Sequence, residues 1–230
     1  MLNGRATLSI VMPALNEAQH IAAALRPLQS LRKNSVEIIV ADGGSSDDTP
    51  ALAAPLAERV IVAPRGRAVQ MNAGARAASG NALLFLHADT RLPGNPSALI
   101  ERALQDHAWG RFDVSIEGRS RWLPIIAAMM NLRSRATGIC TGDQALFVTR
   151  AAFDAAGGFP EQPLMEDIEL SRRLKRIGKP ACLRETVATS GRRWDRYGAW
   201  RTILLMWRLR FDYWRGVPAS RLADRYYPGA

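Results

Sequence analysis

At 230 residues, 47% of them hydrophobic, the chain can bury a full core as one large domain or as two fused halves. No secretory signal is visible, because Leu8–Met12 already reads as a strand with no small-residue cleavage site behind it, and the two cysteines, Cys140 and Cys182, lack metal-ligand or redox spacing and fit a reducing cytoplasm. The formal net charge of +10, carried more by arginine than by lysine, suits nucleotides, nucleic acid or anionic lipid surfaces without choosing among them.

The first half alternates strand and helix. Thr7–Ala14 (TLSIVMPA) reads as a β-branched strand, and Asn16-Glu17 opens an Ala-rich helix to about Lys33. Val36–Ala41 is a second strand that ends on Asp42. In the turn-rich stretch that follows, Ser45, Ser46 and Asp47 can cap a helix beginning near Asp48. Val60–Ala63 is a short third strand. Arg65-Gly66-Arg67 leads into a helix through Ala78, closed by Ser79-Gly80. Ala82–His87 is an apolar run of the kind buried on both faces of a parallel sheet. Strands separated by single helices make right-handed crossovers, hence an α/β fold with a mostly parallel sheet.

Ligands of such sheets collect beyond the carboxyl ends of the strands. His87 and Asp89 point to the same side there, and an imidazole with a carboxylate can share a divalent ion such as Mn²⁺. Asp42, and Asn16 with Glu17, stand at equivalent strand ends, where they can meet a base or ribose hydroxyls. Gly43-Gly44 permits close backbone approach but lacks dinucleotide or P-loop spacing. Arg65 and Arg67 add charge to a helix start that already attracts anions. Each feature also has a plainer reading as turn former, cap or solvated surface; together they suit a nucleoside diphosphate.

The second half is less regular. Asn95–His107 reads as a helix, Trp109–Ile116 as a strand, and Arg121–Arg135 as a Met-rich helix from near Pro124. Thr141–Gln144 is a polar turn before the strand Ala145–Thr149, and Ala151–Phe159 is a short helix closed by glycines. Met165–Leu174 opens another helix with Glu166 and Asp167. Acids in a first turn serve the helix dipole; a general base also needs a carboxylate at a cleft wall.

In this order, LSIVMPALNE (8–17), IVADGGSSDDT (39–49), RAVQMNAG (67–74), LFLHADT (84–90), TGDQ (141–144), GGFP (157–160) and EDIEL (166–170) resemble the inverting family-2 glycosyltransferases over roughly residues 6–195. The segment GRRWDRYGAWRTILLMWRLRF further resembles the subgroup associated with arsenosugar biosynthesis. The resemblance implies a GT-A fold: one continuous sheet from two abutting Rossmann-like halves, nucleotide-binding about 1–90 and acceptor-binding about 91–195, with 196–230 as an amphipathic tail. It implies a nucleotide-sugar donor, commonly UDP-linked, and Mn²⁺ or Mg²⁺. Pro13, Asn16, Glu17, Asp42, Arg67 and Asn72 would line the nucleoside pocket. Asp89, with His87 in place of the family's first acid, would hold the metal. Gly142, Asp143 and Glu166 would face a sugar or alcohol acceptor, Asp167 would be the general base, and Arg192, Arg193 and Trp194 would close over the diphosphate.

The tail has its own pattern. Trp200, Ile203, Leu204, Trp207, Phe211 and Trp214 make one apolar stripe at helical spacing, flanked by Arg201, Arg208 and Arg215. As a helix, Trp200–Gly216 reaches about 25 Å, short of the roughly 30 Å hydrocarbon core, so it does not span a membrane. The stripe either packs on the catalytic domain or lies on an anionic membrane surface. The expected protein is a cytoplasmic, metal-dependent glycosyltransferase, or one peripheral on the inner membrane face. Its rivals are transfer to a polyprenyl phosphate and a non-catalytic nucleic-acid-binding protein; no nucleic-acid-binding motif favours the last.

Overall fold

Leu8–Ala14 (β1) is buried along its whole length because parallel neighbours cover both its edges, Val36–Asp42 (β2) and Ala82–Phe85 (β4). The computed structural model describes residues 7–32 and 35–227. The remaining strands are Arg59–Val62 (β3), Thr90–Arg91 (β5), Trp109–Glu117 (β6), Phe147–Thr149 (β7) and Ala181–Ser190 (β8). Among the described residues these form one eight-stranded sheet in the order β3-β2-β1-β4-β7-β6-β8-β5. β7 runs antiparallel to both β4 and β6, and thereby joins the two halves.

The helices are Ile21–Leu25 (α1), Gln29–Arg32 (α2), Thr49–Ala53 (α3), Arg67–Ala77 (α4), Pro96–Asp106 (α5), Leu123–Thr137 (α6), Arg150–Ala155 (α7), Glu166–Ile177 (α8), Arg192–Tyr197 (α9), Ala199–Trp214 (α10) and Ala219–Tyr226 (α11). Strand alternation divides the core between the two faces of the sheet. Ile10 and Met12 pack with Ile38, Val40 and Leu84 on one face. On the other, Val11 meets Ala68 and Met71 of α4 and Leu170 and Leu174 of α8.

Several elements differ from the sequence reading. The helix expected from Asn16 to Lys33 begins at Ile21, because the Asn16, Glu17 and Ala18 amides donate to Ser45, Thr49 and Asp47 instead. A 3₁₀ turn at Arg26–Leu28 then breaks it, since Pro27 has no N–H to give. Lys33 lies outside the described residues. The last expected strand, Ala145–Thr149, starts at Phe147, and the helix after it ends at Ala155 rather than Phe159. β5, β8 and α9 were not expected, while α11 lies within the 196–230 tail expected to be helical. β8 is half exposed and carries a bulge in its pairing with β6, so neither strict alternation nor an apolar run marks it.

Candidate active site

The carboxyl ends of β1, β2 and β4 meet at one rim. Gln70 of α4 secures it: its amide Nε2 donates at 2.8 Å to the carbonyls of both Ala14 and Ala41. A Cβ on Gly43 would stand 3.0 Å from the Gln70 amide, so glycine is needed for this close approach. Nothing in the local sequence singled out Gln70, because its role depends on two strand ends distant from it in the chain.

Asp42 is 2% exposed, and its carboxylate accepts from the amides of Gly44 and Ser45 at 3.0 and 2.9 Å and from the Ser45 hydroxyl. It shapes the loop whatever else it binds. Asn16, exposed at φ 53°, accepts from the Ser46 amide at 2.9 Å and so ties the first loop to the second. Pro13 is buried within β1. Burial raises the Glu17 carboxyl above the usual range; Arg192 opposes this and Asp89 reinforces it, which puts the three charges within reach of one another.

Arg192 Nη2 lies 3.5 Å from Asp89 Oδ2, at the start of α9. Its two neighbours turn elsewhere. Arg193 donates to the Tyr226 carbonyl at 3.0 Å and sits 3.8 Å over the Tyr226 ring, and Trp194 packs with Leu123 and Ile126 of α6. Of the three residues expected over a diphosphate, only Arg192 faces the rim here.

Asn72 also differs from expectation. Its Nδ2 donates to the Phe159 carbonyl at 2.8 Å and its Oδ1 accepts from the Phe159 amide at 2.9 Å, so the side chain holds the Gly157–Pro160 loop. A cavity of about 550 Å³ opens beside it, lined by Arg76, Arg150, Phe153 and Asp154. Of the candidate residues it touches only Asn72, so it does not define the site.

The acceptor-side residues do converge. Gly142 N donates to Asp167 Oδ2 at 2.9 Å, while Asp167 Oδ1 accepts from Ile168 N at 2.7 Å. A Cβ on Gly142 would come within 2.4 Å of the His87 ring, so the turn 142–144 lies directly on that imidazole. His87 Nδ1 is 3.9 Å from Asp143 Oδ1. Burial pushes the Asp143 carboxyl up, His87 and Arg67 oppose it, and Asp89 and Asp167 add to it. Its side chain is 47% exposed, so solvent screens much of that shift. These charges join both halves of the sheet in a single electrostatic cluster around His87, Asp89, Asp143 and Asp167.

Glu166 does something different from its neighbour. It is 3% exposed and pairs with Arg67 Nε at 2.9 Å, which ties α8 to the start of α4. Burial raises the Glu166 carboxyl and Arg67 opposes that; burial works against the Arg67 charge, and Glu166, Tyr227, Asp167 and Tyr226 together more than restore it. Met165, just ahead, is held at φ 66°, a left-handed conformation rare for a residue with a side chain. Both acids lie in the first turn of α8, where successive side chains point about 100° apart, so Glu166 goes inward and Asp167 stays accessible.

Sequence reasoning missed Arg133. On α6, its Nε and Nη2 are buried without a hydrogen-bond partner among the described residues. Burial lowers its pKa, and Asp167 is the strongest charge supporting it. Its sequence signal was weak, because Asn131, Ser134 and Arg135 beside it make that end of α6 polar in any case.

For a metal, the described residues contain no group of three or more His, Cys, Asp and Glu side chains. Residues 9–153 match glycosyl transferase family 2. The succinoglycan biosynthesis protein ExoA of Rhizobium meliloti (strain 1021) is 30% identical over 96% of this chain and 72% of its own length. The PGL/p-HBAD biosynthesis glycosyltransferase of Mycobacterium bovis (strain BCG / Pasteur 1173P2) is 38% identical over 36% of each chain. Two solved structures, each 22% identical, share the fold. The mannosyltransferase PcManGT from Pyrobaculum calidifontis, in complex with GDP-Man and Mn²⁺, has a TM-score of 0.61 over 80% of this chain and 56% of its own. Glucosyl-3-phosphoglycerate synthase from Mycobacterium tuberculosis, in complex with Mn²⁺, UDP and glucosyl-3-phosphoglycerate, has a TM-score of 0.56 over 81% of this chain and 71% of its own. The fold is thus GT-A-like, and the non-catalytic reading falls away. This chain belongs to glycosyl transferase family 2.

Proposed function

We propose that the protein moves a sugar from a nucleotide-sugar donor, UDP-linked, to an acceptor hydroxyl by a single displacement with inversion. The observation that carries this reading is the link from Asp167 through Gly142 to His87, two residues before Asp89, which joins a candidate base to the candidate diphosphate end. The nucleotides bound in the structural neighbours support the donor class.

Asp167 keeps one carboxylate oxygen on the Gly142 amide and the other at its own helix start, so its orientation is set before an acceptor arrives. As the acceptor oxygen attacks the anomeric carbon, Asp167 takes its proton and the bond to the diphosphate breaks on the opposite side. Arg192, at 52% side-chain exposure, is free to swing from Asp89 to the departing phosphates. One carboxylate suffices for this displacement.

A divalent ion fits the donor set. Mn²⁺ and Mg²⁺ take one or two carboxylates and complete their shell with substrate phosphates and water, so Asp89 with His87 beside it is enough protein. When bound there, the ion would supply positive charge to the developing diphosphate.

A second reading, transfer to a polyprenyl phosphate at the inner membrane face, is favoured by Arg133, whose unpartnered guanidinium lies near Asp167, and by the exposed stripe of α10. The free thiols of Cys140 and Cys182 agree with a cytoplasmic setting. The deciding assay offers nucleotide sugars, with and without Mn²⁺, to sugar, alcohol, arsenosugar-type and polyprenyl phosphate acceptors. Hydrolysis or transfer of no sugar under any condition would overturn the proposal, and an anomerically retained product would overturn the single displacement.

A further inference from the structure

The outer faces of α6 and α10 carry large apolar side chains that cover nothing. On α10, Trp200, Leu204, Trp207, Phe211 and Trp214 share one side and are 54–72% exposed. The helix packs instead through Leu205 and Leu209, against Met165 just ahead of α8, Ile168 of α8 and Leu222 of α11. On α6 and the residue before it, Trp122, Ile125, Met129 and Leu132 share a side and are 41–69% exposed. The two helices are neighbours: Leu123 and Ile126 share a buried cluster with Ala199, and the Trp122 and Trp200 rings meet edge to face at 5.2 Å. The two sets therefore form one surface. Scattered exposed leucines are ordinary in a globular protein, whereas a joined patch of this kind marks a docking site.

Charge indicates the occupant. Arg119, Arg121, Arg201, Arg208 and Arg215 are exposed beside the patch. α6 contains no acid and α10 only Asp212, which Arg225 already pairs at 2.6 Å. An arginine rim around tryptophans matches the headgroup layer of an anionic bilayer, where indoles sit at the polar boundary and guanidiniums meet phosphate. A symmetric second copy would set one arginine rim against another. Among the described residues no helix is long and apolar enough to cross a membrane, so contact would be lateral.

We propose that α6 and α10 together dock the protein on an anionic phospholipid bilayer, both lying in its headgroup region. The inner face of α10 rests on Met165 and Ile168, which flank Asp167, so docking would put the candidate base one helix away from the lipid. The inference extends the lipid-acceptor reading above, but its test needs no nucleotide and can fail while sugar transfer stands.

The test is flotation of the full chain with vesicles of phosphatidylcholine, alone or mixed with phosphatidylglycerol. The protein should float with the mixed vesicles, leave them as salt rises and stay largely free of the neutral ones. Met129→Glu with Leu132→Glu, and separately Trp207→Glu with Trp214→Glu, should each lower partitioning at least about tenfold. Quenching of wild-type tryptophan fluorescence by brominated anionic lipid reads the same contact with no substitution. No flotation or quenching at low salt overturns the proposal, as does equal binding to neutral vesicles. An α6 pair that folds and binds normally removes α6 from the face. A lipid-free dimer by light scattering, dissolved by either pair, assigns the face to a second copy.

Discussion

Arg192 Nη2 stands 3.5 Å from Asp89 Oδ2, so the carboxylate proposed to meet a metal is held by a cation of its own chain. On the proposed function, donor binding would exchange these partners, freeing Asp89 to hold a metal and Arg192 to meet the phosphates. The pair is half exposed, so the exchange costs little.

Asp89→Ala should weaken Mn²⁺-dependent binding of UDP by about 10–100-fold, the scale of a lost charged contact. In a metal-free buffer the variant should bind as well as the wild type or better, because Arg192 is no longer engaged. Calorimetry with and without Mn²⁺ checks this; equal losses in both buffers would remove Asp89 from the metal site.

Asp167→Asn keeps the shape of the side chain and can still accept from the Gly142 amide through its one oxygen; it gives up the bond from the Ile168 amide at its own helix start and the capacity to take a proton. Turnover under saturating donor should fall roughly 10²–10⁴-fold while nucleotide affinity holds. Near-normal turnover would sink the assignment.

Glu166→Gln should act on stability. It leaves Arg67 without its anionic partner across the α4–α8 contact. Removing one member of a buried pair costs roughly 3–5 kcal/mol, and because the Arg67 side chain is 36% exposed the loss should be nearer about 1–3. Urea unfolding measures it, and Arg67→Gln in the same chain should restore part of the loss. A stable Glu166→Gln with a turnover loss larger than that of Asp167→Asn would move the base one residue back.

Glu37 predicts an acid limb of stability. Buried between β2 and the start of β4, it accepts from the Ser9 hydroxyl, the Ser79 amide and hydroxyl and the Gly80 amide. Burial raises its pKa, but these donors outweigh it and the net shift is downward. Because the folded value is depressed, the stabilisation is complete above the ordinary glutamate range and is lost as pH falls toward the folded value. Glu37→Gln should lower stability at neutral pH by roughly 1–3 kcal/mol and flatten its decline below about pH 4.5. An unchanged acid limb in melts across that range would assign it to other carboxylates.

Burial on both faces demands an apolar run, so the central strands β1, β2 and β4 and the residues at their ends can be read directly from the chain. Ala14, Asp42 and His87 were legible for that reason, as was the pair Glu166-Asp167 at a helix start. What those residues touch depends on contacts made across the fold. Adjacent acids look alike in a sequence; the packing of α8 puts Arg67 on the side Glu166 faces and the Gly142 amide on the side of Asp167. The tail shows the same limit. Its tryptophan stripe correctly indicated an apolar face, but α10 has a second one, Leu205 and Leu209, and a periodic pattern cannot say which of two faces finds the core. That choice rests on the shape α8 and α11 offer, which is fixed by contacts far apart in the chain.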